Sequence, residues 1–235
     1  MTPRASTKDR PRPQVVGVIA SRAEFDFAIR MRQPPDLFEL RLDRLARTVD
    51  QLEEKLPRLR APLIITARHP HEGGRNKLSL QQRRDLLTRF LPHANYIDVE
   101  LRSIPALDSL LQLARKQNVR RIISVHYFKR TPSRTVLRAR ARAAKMHGAD
   151  IFKVATRTDT PAQLARLVDF ITKRDVNLAL SAMGIGKLGA ASRVLLACCG
   201  SALVYASIAA TDIEGQMSLE QLRALGFGRR MTKHQ

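Results

Sequence analysis

The sequence predicts an α/β protein folded as a single (β/α)8 TIM barrel, and three observations carry that prediction. Short apolar, β-branched runs recur at 15–20, 37–42, 63–67, 96–101, 121–127, 151–155, 176–181 and 202–207. Between them lie amphipathic segments of helical period, clearest at 78–90, 107–117, 133–147 and 162–173. Third, the chain has 235 residues, and α/β barrels of roughly 200–250 residues fold as one domain. Strands alternating with helices imply parallel pairing through right-handed crossovers. Eight such units suit a closed barrel better than a doubly wound sheet, and no Gly-x-Gly-x-x-Gly follows the first strand.

Each element has a local reason. The strand runs are bounded by polar or turn-forming residues, as at Arg60-Ala61-Pro62 before the third. Thr131-Pro132-Ser133 and Thr160-Pro161 open helices, because proline is tolerated in a first turn, where its missing N–H has no partner to lose. Residues 1–13 are polar, with Arg4, Lys8, Arg10, Arg12 and three prolines. They read as a disordered basic leader rather than a secretory signal, which needs an apolar centre, and the barrel takes 14–235.

Composition narrows the function. A hydrophobic fraction of 44% supports a sizeable core, and no run reaches the ~18 apolar residues of a membrane span. Cys198 and Cys199 are adjacent and cannot join distant segments, so buried, reduced thiols in a cytoplasmic protein are expected. No Cys/His cluster has the spacing of metal ligands. The net charge of +21 attracts anions, whether nucleic acid, acidic lipid or small carboxylates. Arg134, Arg138, Arg142 and Lys145 form a helical stripe, which reads as a solvated face rather than a nucleic-acid surface. No aromatic-basic interleaving suggests base stacking.

In a barrel, polar residues at strand carboxyl ends converge on one mouth. Here those ends carry Glu39 and Arg41, then Arg68 and Glu72, Asp98 and Glu100, His126, Lys153, and a glycine-rich stretch leading to Arg193. Lys153 stands within the apolar run Ile151-Phe152-Lys153-Val154-Ala155. A cation there is costly unless it is paired or gives up its proton, and the neutral amine is the form that attacks carbonyl carbon. Glu39 and Arg41, two apart, face the same side of their strand.

These residues, in order, resemble type I 3-dehydroquinate dehydratase, a barrel family of the shikimate pathway. The matching elements are Glu39-Leu40-Arg41-Leu42-Asp43; Thr66-Ala67-Arg68 with Glu72-Gly73-Gly74; Asp98-Val99-Glu100; Ser124-Val125-His126-Tyr127-Phe128 before Thr131-Pro132; Ala149-Asp150-Ile151-Phe152-Lys153; Gly189-x-x-Ser192-Arg193; and Gly215-Gln216. The resemblance implies dehydration of 3-dehydroquinate with no cofactor and no metal. Lys153 would form the Schiff base, His126 would act as general base and acid, and Glu72 would hold the imidazole. Arg193 would take the substrate carboxylate, Glu39, Arg41 and Gln216 its hydroxyls, Arg68 would belong to the polar cluster, and Tyr205 would pack on the ring. A cytoplasmic homodimer is also implied.

The chain departs from the family in the eighth strand-to-helix loop, Thr211-Asp212-Ile213-Glu214-Gly215-Gln216, where the family reads Ser-Ala-Pro-Gly-Gln. Asp212 stands for the serine and Glu214 for the proline. Two carboxylates beside an anionic substrate are expected to repel it. The loop therefore leaves open a Schiff-base enzyme for a related cyclic keto acid. A basic nucleic-acid-binding protein on a barrel scaffold is the alternative of another class.

Overall fold

The computed structural model describes residues 12–173, 175–209 and 214–228. Its strands are β1 (Gln14–Ile19), β2 (Leu37–Arg41), β3 (Leu63–Thr66), β4 (Tyr96–Glu100), β5 (Arg120–Tyr127), β6 (Ile151–Arg157), β7 (Ala179–Ile185), β8 (Leu203–Ser207) and the two-residue β9 (Met217–Ser218). The helices are α1 (Arg22–Ala28), α2 (Leu42–Leu45), α3 (Val49–Glu53), α4 (Leu80–Phe90), α5 (Ile104–Lys116), α6 (Arg134–Met146), α7 (Pro161–Thr172), α8 (Gly189–Cys199) and α9 (Leu219–Ala224). All pairings are parallel, in the order β7-β6-β5-β4-β3-β2-β1-β8-β9. The curled sheet confirms the predicted barrel.

The barrel closes between β7 and β8 without a regular ladder. At the amino ends of the strands Ala202 N donates to Leu180 O at 2.8 Å. Ser201 Oγ accepts from Ala182 N and donates to Leu203 O, both at 3.1 Å. Higher up, β9 lies beside β8, pairing Ala206 with Met217 and Ser207 with Ser218. The seam is thus bridged by a side chain below and by a returning segment above.

Strand alternation sorts the residues into two cores. Outward-facing Phe38, Leu40, Ile65, Ile97, Ile123, Phe152 and Val154 pack with helical residues such as Phe25, Leu87, Phe90 and Phe170. Inward-facing Leu37, Ile64, Tyr96, Ile122, Ile151 and Leu203 fill the barrel. Two residues further along each of these strands stand Glu39, Thr66, Asp98, Ser124, Lys153 and Tyr205, all buried. An apolar layer therefore carries a polar one directly above it, toward the carboxyl ends.

Several expectations shift. The seventh strand, predicted at 176–181, runs Ala179–Ile185. A turn in which Asp175 N bonds Lys173 O and Leu178 N bonds Val176 O takes up the β-branched start. The strand then continues through Ala182-Met183-Gly184, whose local β-propensity is low but which pairs with Val154 to Thr156. The cysteines are not both buried: α8 turns Cys198 to solvent and leaves Cys199 half-buried. The basic stripe on α6 is not merely solvated. Arg134 and Arg138 reach Asp169, and Arg138 and Arg142 reach Asp175, tying α6 to α7 and the turn after it. Most of the predicted leader lies outside the described residues, though Arg12 pairs with Asp36 at 2.7 Å. No helix among the described residues is long and apolar enough to cross a membrane.

Candidate active site

A cavity of about 460 Å³ opens at the carboxyl ends of the strands, lined among others by Glu39, Arg41, Arg68, Glu72, His126, Lys153, Arg193, Tyr205 and Gln216. The fold brings together nine of the ten predicted site residues. Asp212, the tenth, lies outside the described residues.

Lys153 extends into the barrel from β6. Its Nζ lies 2.9 Å from Asp98 Oδ2 and 3.4 Å from Glu39 Oε1, and 4.1 Å from the centre of the Tyr205 ring. The ring face and two carboxylates form a box that suits a positive nitrogen. Arg68 sits beside it, donating through Nη1 and Nη2 to the two oxygens of Asp98, each at 2.9 Å. It also donates to Ser124 Oγ at 2.6 Å and to Glu100 at 3.2 Å. Glu100 in turn meets the fully buried Arg83 of α4. Basic and acidic side chains thus alternate from Arg83 through Glu100, Arg68 and Asp98 to Lys153 and Glu39. Arg68 and Lys153 beside Asp98 hold its carboxyl far below the usual range, overcoming the opposing effect of burial.

His126 enters from β5, in register with Ala155 two residues past Lys153. Glu72 Oε2 accepts from the His126 backbone N–H at 3.0 Å and lies 2.9 Å from Nδ1. Glu72 reaches that point because the 3₁₀ turn Pro70–Glu72 ends on Gly73 at φ +87. At Gly74 an added Cβ would stand 2.1 Å from the Arg68 carbonyl oxygen. Gly73 is therefore required by its positive φ and Gly74 by backbone packing. Burial raises Glu72 to about 7, reinforced by Glu100 and opposed by Arg68. Burial, with Arg68 and Lys153 nearby, holds His126 well below its ordinary value, so its imidazole is neutral at physiological pH.

Arg193 stands across the cavity on α8. Its Nη1 donates to the carbonyl oxygens of Gly184, Gly189 and Gly215, and its buried Nε has no hydrogen-bond partner among the described residues. No carboxylate among the described residues pairs with this guanidinium, and burial lowers it to about 10. It is a cation built into a pocket with an unmet demand for an anion. Arg41 differs: Asp43 grips it at two points, both 3.0 Å, so it presents only part of its guanidinium to the cavity. Glu214 does not line the cavity but turns to Arg157 at 3.1 Å.

Sequence reasoning gave Asp98 and Ser124 no role, although they sit at the centre of the cluster. The signal was their inward register above Tyr96 and Ile122, two residues earlier on the same strands. His126 also faces a partner the motifs did not assign, the half-exposed Phe128, whose ring stacks 6.3 Å away. Among the described residues no group of three or more His, Cys, Asp or Glu could hold a metal ion.

The parallel barrel, with its polar side chains gathered at the carboxyl ends of the strands, defines a (β/α)8-barrel enzyme. The family model for type I 3-dehydroquinase matches residues 21–228, and the chain belongs to that family. Relatives named 3-dehydroquinate dehydratase include that of Pyrococcus abyssi, 33% identical over 199 residues (83% of this chain, 89% of that one). That of Thermodesulfovibrio yellowstonii is 32% identical over 190 residues, covering 80% and 82%. The Enterococcus faecalis 3-dehydroquinate dehydratase structure superposes with TM-score 0.79 at 26% identity, covering 93% and 95%.

Proposed function

We propose that this chain converts 3-dehydroquinate to 3-dehydroshikimate through an imine on Lys153. The observation that carries this is Lys153 Nζ boxed by Asp98, Glu39 and Tyr205 in the one cavity it shares with neutral His126 and anion-seeking Arg193. Arg193 takes the substrate carboxylate, supplying planar donors to a planar anion. Lys153 passes its ammonium proton to His126, and the freed amine adds to the ketone carbon. The proton returns from His126 to the carbinolamine hydroxyl, which leaves as water and gives a protonated imine. That cation replaces the ammonium between the same carboxylates, so Asp98 serves both states.

The protonated imine draws electrons from the adjacent C–H bond. His126 accepts that proton; with Nδ1 engaged by Glu72, Nε2 is the nitrogen left for the task. The resulting enamine pushes its electrons back through the carbon chain and expels the hydroxyl on the next carbon. The proton held by His126 goes to that oxygen, and it departs as water. Hydrolysis of the imine releases the enone and restores the lysine. Glu39 and Gln216 hold ring hydroxyls and Glu72 supports the imidazolium that forms in passing. The homodimer and cytoplasmic setting implied by the family are proposals of the same kind, tested by light scattering and by fractionation.

Borohydride added with 3-dehydroquinate should leave reduced ligand on Lys153, read by peptide mass, with loss of enone absorbance on further turnover. The Lys153→Ala variant should show neither. A folded wild-type protein that produces the enone yet never traps ligand would remove the imine from the scheme.

A further inference from the structure

Glu214 replaces the proline expected at its position, and the structure shows what the exchange does. Its carboxylate meets Arg157 Nη1 at 3.1 Å, and Arg157 Nε donates to Asp159 at 2.6 Å. Asp159 also accepts from the Lys187 backbone N–H at 3.0 Å. Arg157 ends β6, and Asp159 and Lys187 follow the ends of β6 and β7. The Glu214 carbonyl accepts from Gly186 N at 3.3 Å. Immediately beyond, Gly215 at φ +76 packs on Gly189 so tightly that a Cβ on either would stand under 3 Å from the other's backbone. Its carbonyl oxygen accepts from Arg193 Nη1 at 2.6 Å. Gln216 then lines the cavity, and Met217–Ser218 joins the sheet beside β8.

From this geometry we infer that Arg157 and Glu214 are positioning residues for substrate binding. Their ion pair pins the start of the 214–218 segment to the ends of β6 and β7, while β9 fixes its far end to β8. The span between them carries the carbonyl that orients Arg193 and the side chain of Gln216. Neither charged partner lines the cavity, so they act through the backbone. A proline in this place would stiffen the backbone covalently; here an ion pair supplies the restraint, and that makes it sensitive to salt. The side chains of Arg157 and Glu214 are 33% and 52% exposed, so ions can reach the pair.

This inference rests on the proposed dehydration for its substrate, and the Glu214→Gln variant tests it by sign. If Glu214 merely repelled an anionic substrate, neutralising it would lower KM. A positioning role requires KM for 3-dehydroquinate to rise, roughly two- to fivefold as expected for an exposed ion pair, with kcat little changed. The ratio of variant to wild-type KM should shrink toward one as sodium chloride is added, because salt loosens the pair only in the wild type. Arg157→Met should show the same KM increase and the same salt response. A KM for Glu214→Gln that falls or stays level, or a ratio indifferent to salt, overturns the inference. Borohydride trapping run on the same proteins separates the failures. Absence of trapping in the wild type counts against the imine reading, whereas trapping in all with unaltered KM counts against the positioning pair alone.

Discussion

Glu72 and His126 illustrate how a contact between two titratable side chains differs from an ion pair. Burial raises the acid to about 7 and holds the base well below its ordinary value, so each environment favours the uncharged form. Between the ordinary value of 4.5 and about 7 the folded protein binds a proton on Glu72 that the unfolded chain has released. Stability from this group is therefore lost as pH rises through that window, by on the order of 3 kcal/mol in total. Glu72→Gln should thus gain Tm relative to wild type as pH rises from acid to neutral; a difference in Tm that stays flat or reverses would assign Glu72 an ordinary acidity. At this scale the sequence exposed Lys153 because a cation is rare inside an apolar run, and His126 and Arg193 because they follow strand ends in the order of the family's motifs. It gave no role to Asp98, because an aspartate in Ile97-Asp98-Val99 gains meaning only when β4 and β6 are closed into one barrel.

At the scale of elements, seven of the eight predicted strands agree with the barrel strands to within about two residues at each end, because an apolar run flanked by turn formers leaves little choice. The seventh was displaced because its usable half, Ala182-Met183-Gly184, owes its extension to β6 rather than to its own residues. The seam beside it was invisible in the sequence. Ser201 is 1% exposed and its hydroxyl does work that ladder hydrogen bonds do elsewhere, accepting from Ala182 and donating to Leu203. Ser201→Ala leaves the buried Ala182 N–H wanting a partner, while Leu203 O keeps Ser181 Oγ at 3.2 Å, and should lower stability by about 1–3 kcal/mol in denaturant titrations. A loss below the error of such titrations would mean the β7–β8 contact closes without it.

For the whole molecule the charge of +21 is only partly organised. Three cations of the α6 stripe, Arg134, Arg138 and Arg142, which read as a solvated face, are engaged by Asp169 and Asp175. Most remaining cations repel one another, and compact states suffer most from such repulsion. Tm should therefore rise when sodium chloride is added from low to physiological ionic strength; a falling Tm would show that surface ion pairs outweigh the repulsion. Composition alone could not decide this, because pairing depends on which helices become neighbours.

The alternating line from Arg83 to Glu39 has a consequence for the chemistry above it. An ammonium and a protonated imine carry the same charge at the same nitrogen, so the surrounding carboxylates and guanidinium meet no new electrostatic demand when one replaces the other. In the proposed mechanism the barrel interior stays rigid while the ligand becomes covalent, and the reorganisation that charge separation would impose in water is confined to the proton shuttled by His126.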